Sequence, residues 1–194
     1  MNEDLRTSCT AFDGHRHIAS GPLGAVALAV RAVAECNAAG PVLTFDDATG
    51  QVIDIDIRGT DEDILARLSN QAAPSAEASR GRGRPKLGVI AREVTLLPRH
   101  WDWLSAQPGG ASVMLRKLVE EARRANGGRD RDRQAREAAY CFMSALAGDL
   151  PGFEEAIRAL FADDPPRFRA LVAGWPGDVR DHASRLAFPA GHPG

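Results

Sequence analysis

The chain has 194 residues, 44% of them hydrophobic and 26% charged, with a formal net charge of −2. That composition supports one compact domain or two small ones. It excludes a disulfide framework or a zinc knuckle, because the three cysteines, Cys9, Cys36 and Cys141, are odd in number and far apart, and they read as reduced core thiols.

Charge is unevenly placed. Residues 1–78 carry 5 Lys/Arg against 12 Asp/Glu, residues 79–136 carry 14 against 6, and residues 137–194 carry 5 against 8. A basic middle between acidic ends points to a polyanion-binding segment, or to acidic ends that fold back onto it. The longest apolar run, Ala25 to Ala34, contains Arg31 and is too short to span a bilayer, and the N-terminus has no apolar signal stretch. A soluble, cytoplasmic protein is the expectation.

Residues 8–20, SCTAFDGHRHIAS, predict a hairpin about Asp13-Gly14, a pair suited to left-handed backbone. Pro22 suits the first turn of a following helix, in which Val26, Val30 and Val33 recur at helical spacing until Gly40. PVLTF and QVIDIDIRG then flank the turn-rich DDATG, with Ile53, Ile55 and Ile57 on one strand face and Asp54 and Asp56 on the other. Thr60 caps an acidic-started helix, DEDILARL. The expected N-terminal domain, residues 1–68, is a ββαββα unit.

Within it, His15 and His17 share a strand face near Asp13, a pair from which a metal site can start, but no third ligand has a telling spacing. Asp46, Asp47, Asp54 and Asp56 read as the wet face of a sheet. The chain has no phosphate loop, nucleophile elbow or Cys/His pair with a partner, so no catalytic set, metal or cofactor is expected.

Residues 69–88, SNQAAPSAEASRGRGRPKLG, lack an apolar period and read as a linker that ends in a basic arm. REVTLLP, RHWDWLSAQ, PGGAS and VMLRKLVEEARR then predict strand, helix, glycine turn and helix over residues 89–125. Val94 and Leu96 share a strand face, Trp101 and Leu104 a helix face, and Leu115, Leu118, Val119 and Ala122 recur along the next helix. Gly110 or Ser112 caps that helix. The spacing sends Trp101 and Trp103 to different sides, one to a core and one to an interface.

One strand and two helices cannot pair the strand's own edges or bury both apolar helix faces. Such a unit calls for a two-fold mate, with Val94, Leu96, Trp101, Leu104, Leu115, Leu118 and Val119 at a homodimer interface. RDRDRQAR at residues 129–136 alternates sign and reads as a solvated helix start. Four short helices separated by Gly and Pro follow, anchored by Tyr140, Phe142, Phe153, Phe161, Phe168 and Trp175, as a helical bundle over residues 129–188. The fold class is α+β: a ββαββα unit, a central strand-helix-helix, and a C-terminal bundle.

The segment GRPKLGVIAREVTLLPRHWDWLSAQPGGASVMLRKLVEEA resembles the ribbon-helix-helix superfamily of small dimeric DNA-binding proteins, in particular the antitoxin class in which a Gly-Arg-Pro arm precedes the ribbon. The chain as a whole resembles an uncharacterised bacterial family, which brings no activity with it. The first resemblance implies that two strands pair antiparallel across a dimer and enter the major groove, while the second helix's N-terminus meets phosphate. On this chain Arg92, Glu93 and Thr95 then face DNA, and Ala111 and Ser112 offer backbone to phosphate. Arg82-Gly83-Arg84-Pro85 resembles the core of an AT-hook, with Arg80 and Lys86 adding phosphate charge.

Two functions stay open. One is a homodimeric DNA-binding protein, a transcriptional regulator that uses the ribbon and the basic arm. The other is an antitoxin-like or scaffold module in which the strand-helix-helix serves dimerisation alone, a reading favoured by Glu93, which meets phosphate repulsion even though a carboxylate accepts from cytosine.

Overall fold

The computed structural model describes residues 8–36, 40–71 and 92–189. The chain is mixed α+β: among the described residues there are seven helices and one four-stranded antiparallel sheet. The residues group into two compact units, one of residues 1–75 with 131–194 and one of residues 76–130.

In the first unit, β1 (Ser8–Asp13) and β2 (Arg16–Pro22) form the expected hairpin, with Gly14 at φ +55 in its turn. α1 (Leu23–Glu35) begins directly after Pro22 and buries Val26 and Val30. β3 (Val42–Asp46) returns beside β1, and β4 (Val52–Ile53) lies at the edge, giving the order β2-β1-β3-β4. α2 (Asp61–Gln71) starts in a reciprocal cap: Thr60 Oγ1 accepts from the Asp63 N–H at 3.2 Å while Asp63 Oδ2 accepts from the Thr60 N–H at 2.9 Å.

The long second strand expected over QVIDIDIRG is cut to two residues. Side chains take the backbone groups that a ladder would have used. The Asp56 carboxylate accepts from the Arg58 N–H at 3.1 Å, and the Arg67 guanidinium donates to the carbonyls of Asp56 and Arg58. Ile53, Ile55 and Ile57 still turn inward together.

The period of two decides which core each β1 residue enters. Cys9 and Ala11 face α1, packing with Val26 and Val30. Thr10 and Phe12 face the other way, where Phe12 and Phe45 join one cluster with the C-terminal helices. Those helices are the end of α4 (Gly110–Leu146), α5 (Phe153–Phe161), α6 (Pro165–Leu171) and α7 (Gly177–Ala187). A fully buried Phe contributes roughly 2–3 kcal/mol, so the cluster of Phe12, Phe45, Phe142 and Phe168 ties sheet and helices into one body. One face of the sheet and the C-terminal helices therefore share one core, while α1 and α2 pack in clusters of their own.

Several anchor residues fall elsewhere than expected. Tyr140 and Phe161 are exposed and cover each other, ring centroids 5.8 Å apart, whereas Phe142, Phe168 and Trp175 are buried. Of the cysteines only Cys9 is a core thiol; Cys36 is exposed at the end of α1 and Cys141 is half-buried. Burial, with Asp46 and Asp47 nearby, pushes the Cys9 thiol up to about 11.

A single helix replaces the break expected between residues 125 and 129. α4 runs 37 residues through Gly127-Gly128. Two helical glycines cost about 2 kcal/mol relative to alanine; the Ala, Arg, Glu and Gln around them are strong helix formers, and the Glu120–Arg124 and Arg133–Glu137 pairs support the helix on either side.

Candidate dimer and nucleic-acid interface

The second unit is built from residues 92–97, α3 (Pro98–Ser105) and the first part of α4. Leu97 is extended at φ −65, ψ 149, and Pro98 follows at the first helical position, where its missing N–H is no loss. Among the described residues, residues 92–97 pair with no other segment, and the strand expected over REVTLLP is not among the described elements. α3 ends at Ala106, and Gly109 and Gly110, at φ +87 and +74, turn the chain into α4. That double left-handed step favours glycine, which explains PGG at this place.

Leu104 is the one buried residue of this unit among the described residues. Around it, Leu96, His100, Trp103, Leu115 and Leu118 line an apolar groove of about 270 Å³. Val94, Leu97, Trp101, Trp103, Leu118 and Val119 are exposed, six of the ten large apolar side chains exposed among the described residues. Scattered exposure of this kind needs no explanation; its concentration on one small helix pair does.

Of the residues expected at an interface, Val94, Trp101, Leu118 and Val119 lie at the surface, Leu96 and Leu115 are half-buried, and Leu104 is inside. The expectation that one of Trp101 and Trp103 enters a core is corrected, since they are 39% and 49% exposed. Eight residues of α3 and a few turns of α4 offer too little surface to cover either ring. Leu97 and His100 are the residues beside this surface that the sequence reading missed, because an i, i+3 reading from Trp101 picks out one stripe of a helix that is apolar on two.

Of the residues expected to meet DNA, Arg92, Glu93, Thr95 and Ser112 are exposed and Ala111 is half-buried, the last two in the first turn of α4. Arg80, Arg82, Arg84 and Lys86 lie outside the described residues. Further along α4 the charges are mixed: Glu120 accepts from Arg123 and Arg124, which holds its carboxyl below the usual range.

The first unit has its own polar cluster. A bulge opposite Ala11 and Phe12 puts His17 and Ser20 on one face of β2, with His17 Nε2 2.7 Å from Ser20 Oγ. Ser20 meets Thr10 at 3.0 Å, and Asp47 accepts from Thr10 at 2.8 Å and Ser8 at 2.6 Å. No acidic group orients the His17 ring among the described residues, so the pair lacks the third member that activates a serine. A shallow cleft beside it, between the β1–β2 turn and the start of α7, has its carboxylates engaged: Asp13 with the Gly40 N–H and Arg16, Asp178 with the His17 N–H. His15 turns away to the Leu146 carbonyl at 3.1 Å, and among the described residues no three His, Cys, Asp or Glu converge on a metal.

The acidic residues of the sheet fix turns. Asp46 accepts from the Ala48 N–H at 2.7 Å, and Arg58 and Arg67 hold the Asp56 carboxyl well below its ordinary range. Among the described residues no helix is long and apolar enough to cross a membrane.

No curated protein and no solved structure matches the chain. A family model described as uncharacterized protein conserved in bacteria (DUF2239) matches residues 8–187, a span that takes in both units, and the chain belongs to that family.

Proposed function

We propose that the protein is a homodimer assembled through residues 92–119 and that the dimer binds DNA, with the basic arm at residues 80–86 supplying most of the affinity. The observation that carries this reading is the exposed apolar surface of residues 92–97 and two helices around Leu104, the single residue of the unit buried among the described ones. A unit with so small a core gains too little burial to offset the entropy of ordering it. A second copy supplies the missing burial and an equal segment with which residues 92–97 can pair as a ribbon. The excess of Lys/Arg over Asp/Glu in residues 79–136 supports a polyanion as the ligand of the assembled dimer.

Glu93 favours a second reading, in which the unit dimerises and engages a protein partner. The two part on one experiment: purified chain is titrated with a random duplex and an A/T-rich duplex across a salt series, with its mass followed by sedimentation. The DNA reading expects a dimer and a steep fall of affinity with salt, and replacing Arg82 and Arg84 by alanine flattens the slope by about two ions. A dimer that binds neither duplex at low salt supports the second reading, and a monomer at micromolar concentration overturns both.

A further inference from the structure

We infer that α7 is an acid-released latch on the sheet, held by the neutral ring of His182 and opened when that ring takes a second proton. His182 is 2% exposed, between the rings of Phe12 at 5.4 Å and Phe142 at 4.6 Å. Its Nδ1 lies 3.0 Å from the Arg185 guanidinium. A guanidinium only donates, so Nδ1 accepts and the ring's proton sits on Nε2. That N–H has no hydrogen-bond partner among the described residues. Asp47 Oδ1 is 3.8 Å away and already accepts from Thr10.

This geometry makes protonation disruptive at one defined atom. Nδ1 is the remaining basic nitrogen, and it faces a cation. A proton there ends the Arg185 hydrogen bond and sets imidazolium against guanidinium among aromatic rings. The charged and titratable groups around the ring come from three elements: Arg185 on α7 itself, His17 on β2, and Asp47 from the β3–β4 turn. Asp47, at long range, is the sole one that favours the charged ring. Burial first, then Arg185, lowers the His182 pKa from 6.5 to about 4, with His17 acting in the same direction.

The element that yields is α7. It is the last described helix, and besides its apolar packing one hydrogen bond among the described residues ties it to the hairpin, from the His17 N–H to Asp178 at 2.8 Å. Its release withdraws Val179, Ala183 and Ala187 from the shared core and uncovers Phe12 and Phe142. The inference is independent of what the second unit binds.

Hydrogen–deuterium exchange of the full chain at pH 7 and pH 5, corrected for intrinsic rates, tests it with α1 as internal reference. Proton linkage between 6.5 and about 4 predicts that α7 opens about 20-fold more often at pH 5 than at pH 7. His182→Phe, which keeps a ring without the titration, is expected to lose that α7-specific change. Arg185→Gln, at an exposed position, is expected to shrink it and to raise the His182 midpoint seen by NMR, and it carries the test if His182→Phe does not fold. Protection of α7 that falls no more than that of α1, or an equal fall in either variant and the wild type, overturns the latch.

Discussion

Gly50, at φ +66, lies directly against the backbone of Ala138: a Cβ built on Gly50 falls 1.8 Å from the Ala138 carbonyl oxygen. The β3–β4 turn and α4 therefore meet backbone to backbone, and rigid main chain cannot give way as a side chain tip can. Gly50→Ala combines left-handed strain with this clash and is expected to lose roughly 3 kcal/mol or more, measured as a drop in urea midpoint. A loss under 1 kcal/mol means that the turn and α4 separate easily.

Gly127 and Gly128 are the opposite case. Both sit inside α4, and an added Cβ meets nothing within 4 Å at either position. Replacing each by alanine is expected to stabilise the helix by about 1 kcal/mol, largely through the unfolded chain. Higher helicity by circular dichroism and slower amide exchange in α4 are the readouts.

Asp163 shows how a side chain holds a conformation that glycine prefers. It sits at φ 55 just after α5, where its N–H reaches the Leu160 carbonyl and the Asp164 N–H reaches Ala159 at 3.0 Å, a Schellman closure. Its carboxylate meets Arg136 of α4 at 3.0 Å. Asp163→Gly relieves about 1 kcal/mol of backbone strain and loses a half-exposed ion pair of about 0.5 kcal/mol, so a small net gain is expected. Asp163→Ala keeps the strain and loses the pair, and the two variants should differ by about 1 kcal/mol in thermal unfolding. Equal stabilities mean that the left-handed step is not strained.

Legibility in the sequence follows the range of the interaction. Asp13-Gly14, Thr60 with Asp63, and Pro98 each act within four residues, and each marks the element boundary expected of it. β4 stops at Ile53, and beyond it Arg67, on another element, takes the carbonyls of Asp56 and Arg58, which nothing in QVIDIDIRG signals. The gathering of Phe12 and Phe45 with Phe142 and Phe168 in one core joins segments far apart in the chain, which periodicity does not report. His182 left a fainter mark: it stands three residues after Val179 and beside Ala183, on the apolar stripe of its helix. In the second unit, the exposed residues were readable as apolar, but their excess over what two short helices can bury needed the folded helix pair.

Val119 carries the sharpest test of the dimer, because it is 64% exposed and its substitution leaves the single chain's packing untouched. A carboxylate placed there costs nothing in water and must be desolvated in an apolar interface. Val119→Asp is expected to weaken self-association at least about 100-fold, equivalent to about 2.7 kcal/mol, while the unfolding midpoint of the monomer stays where it was. Trp103→Ala, on the groove side, should weaken it as well by removing a large anchor at an exposed position. Sedimentation equilibrium gives the dissociation constant and thermal unfolding the stability. If both variants dimerise like the wild type, the apolar face of residues 92–119 meets something other than its own copy, and DNA binding through a paired ribbon loses its foundation.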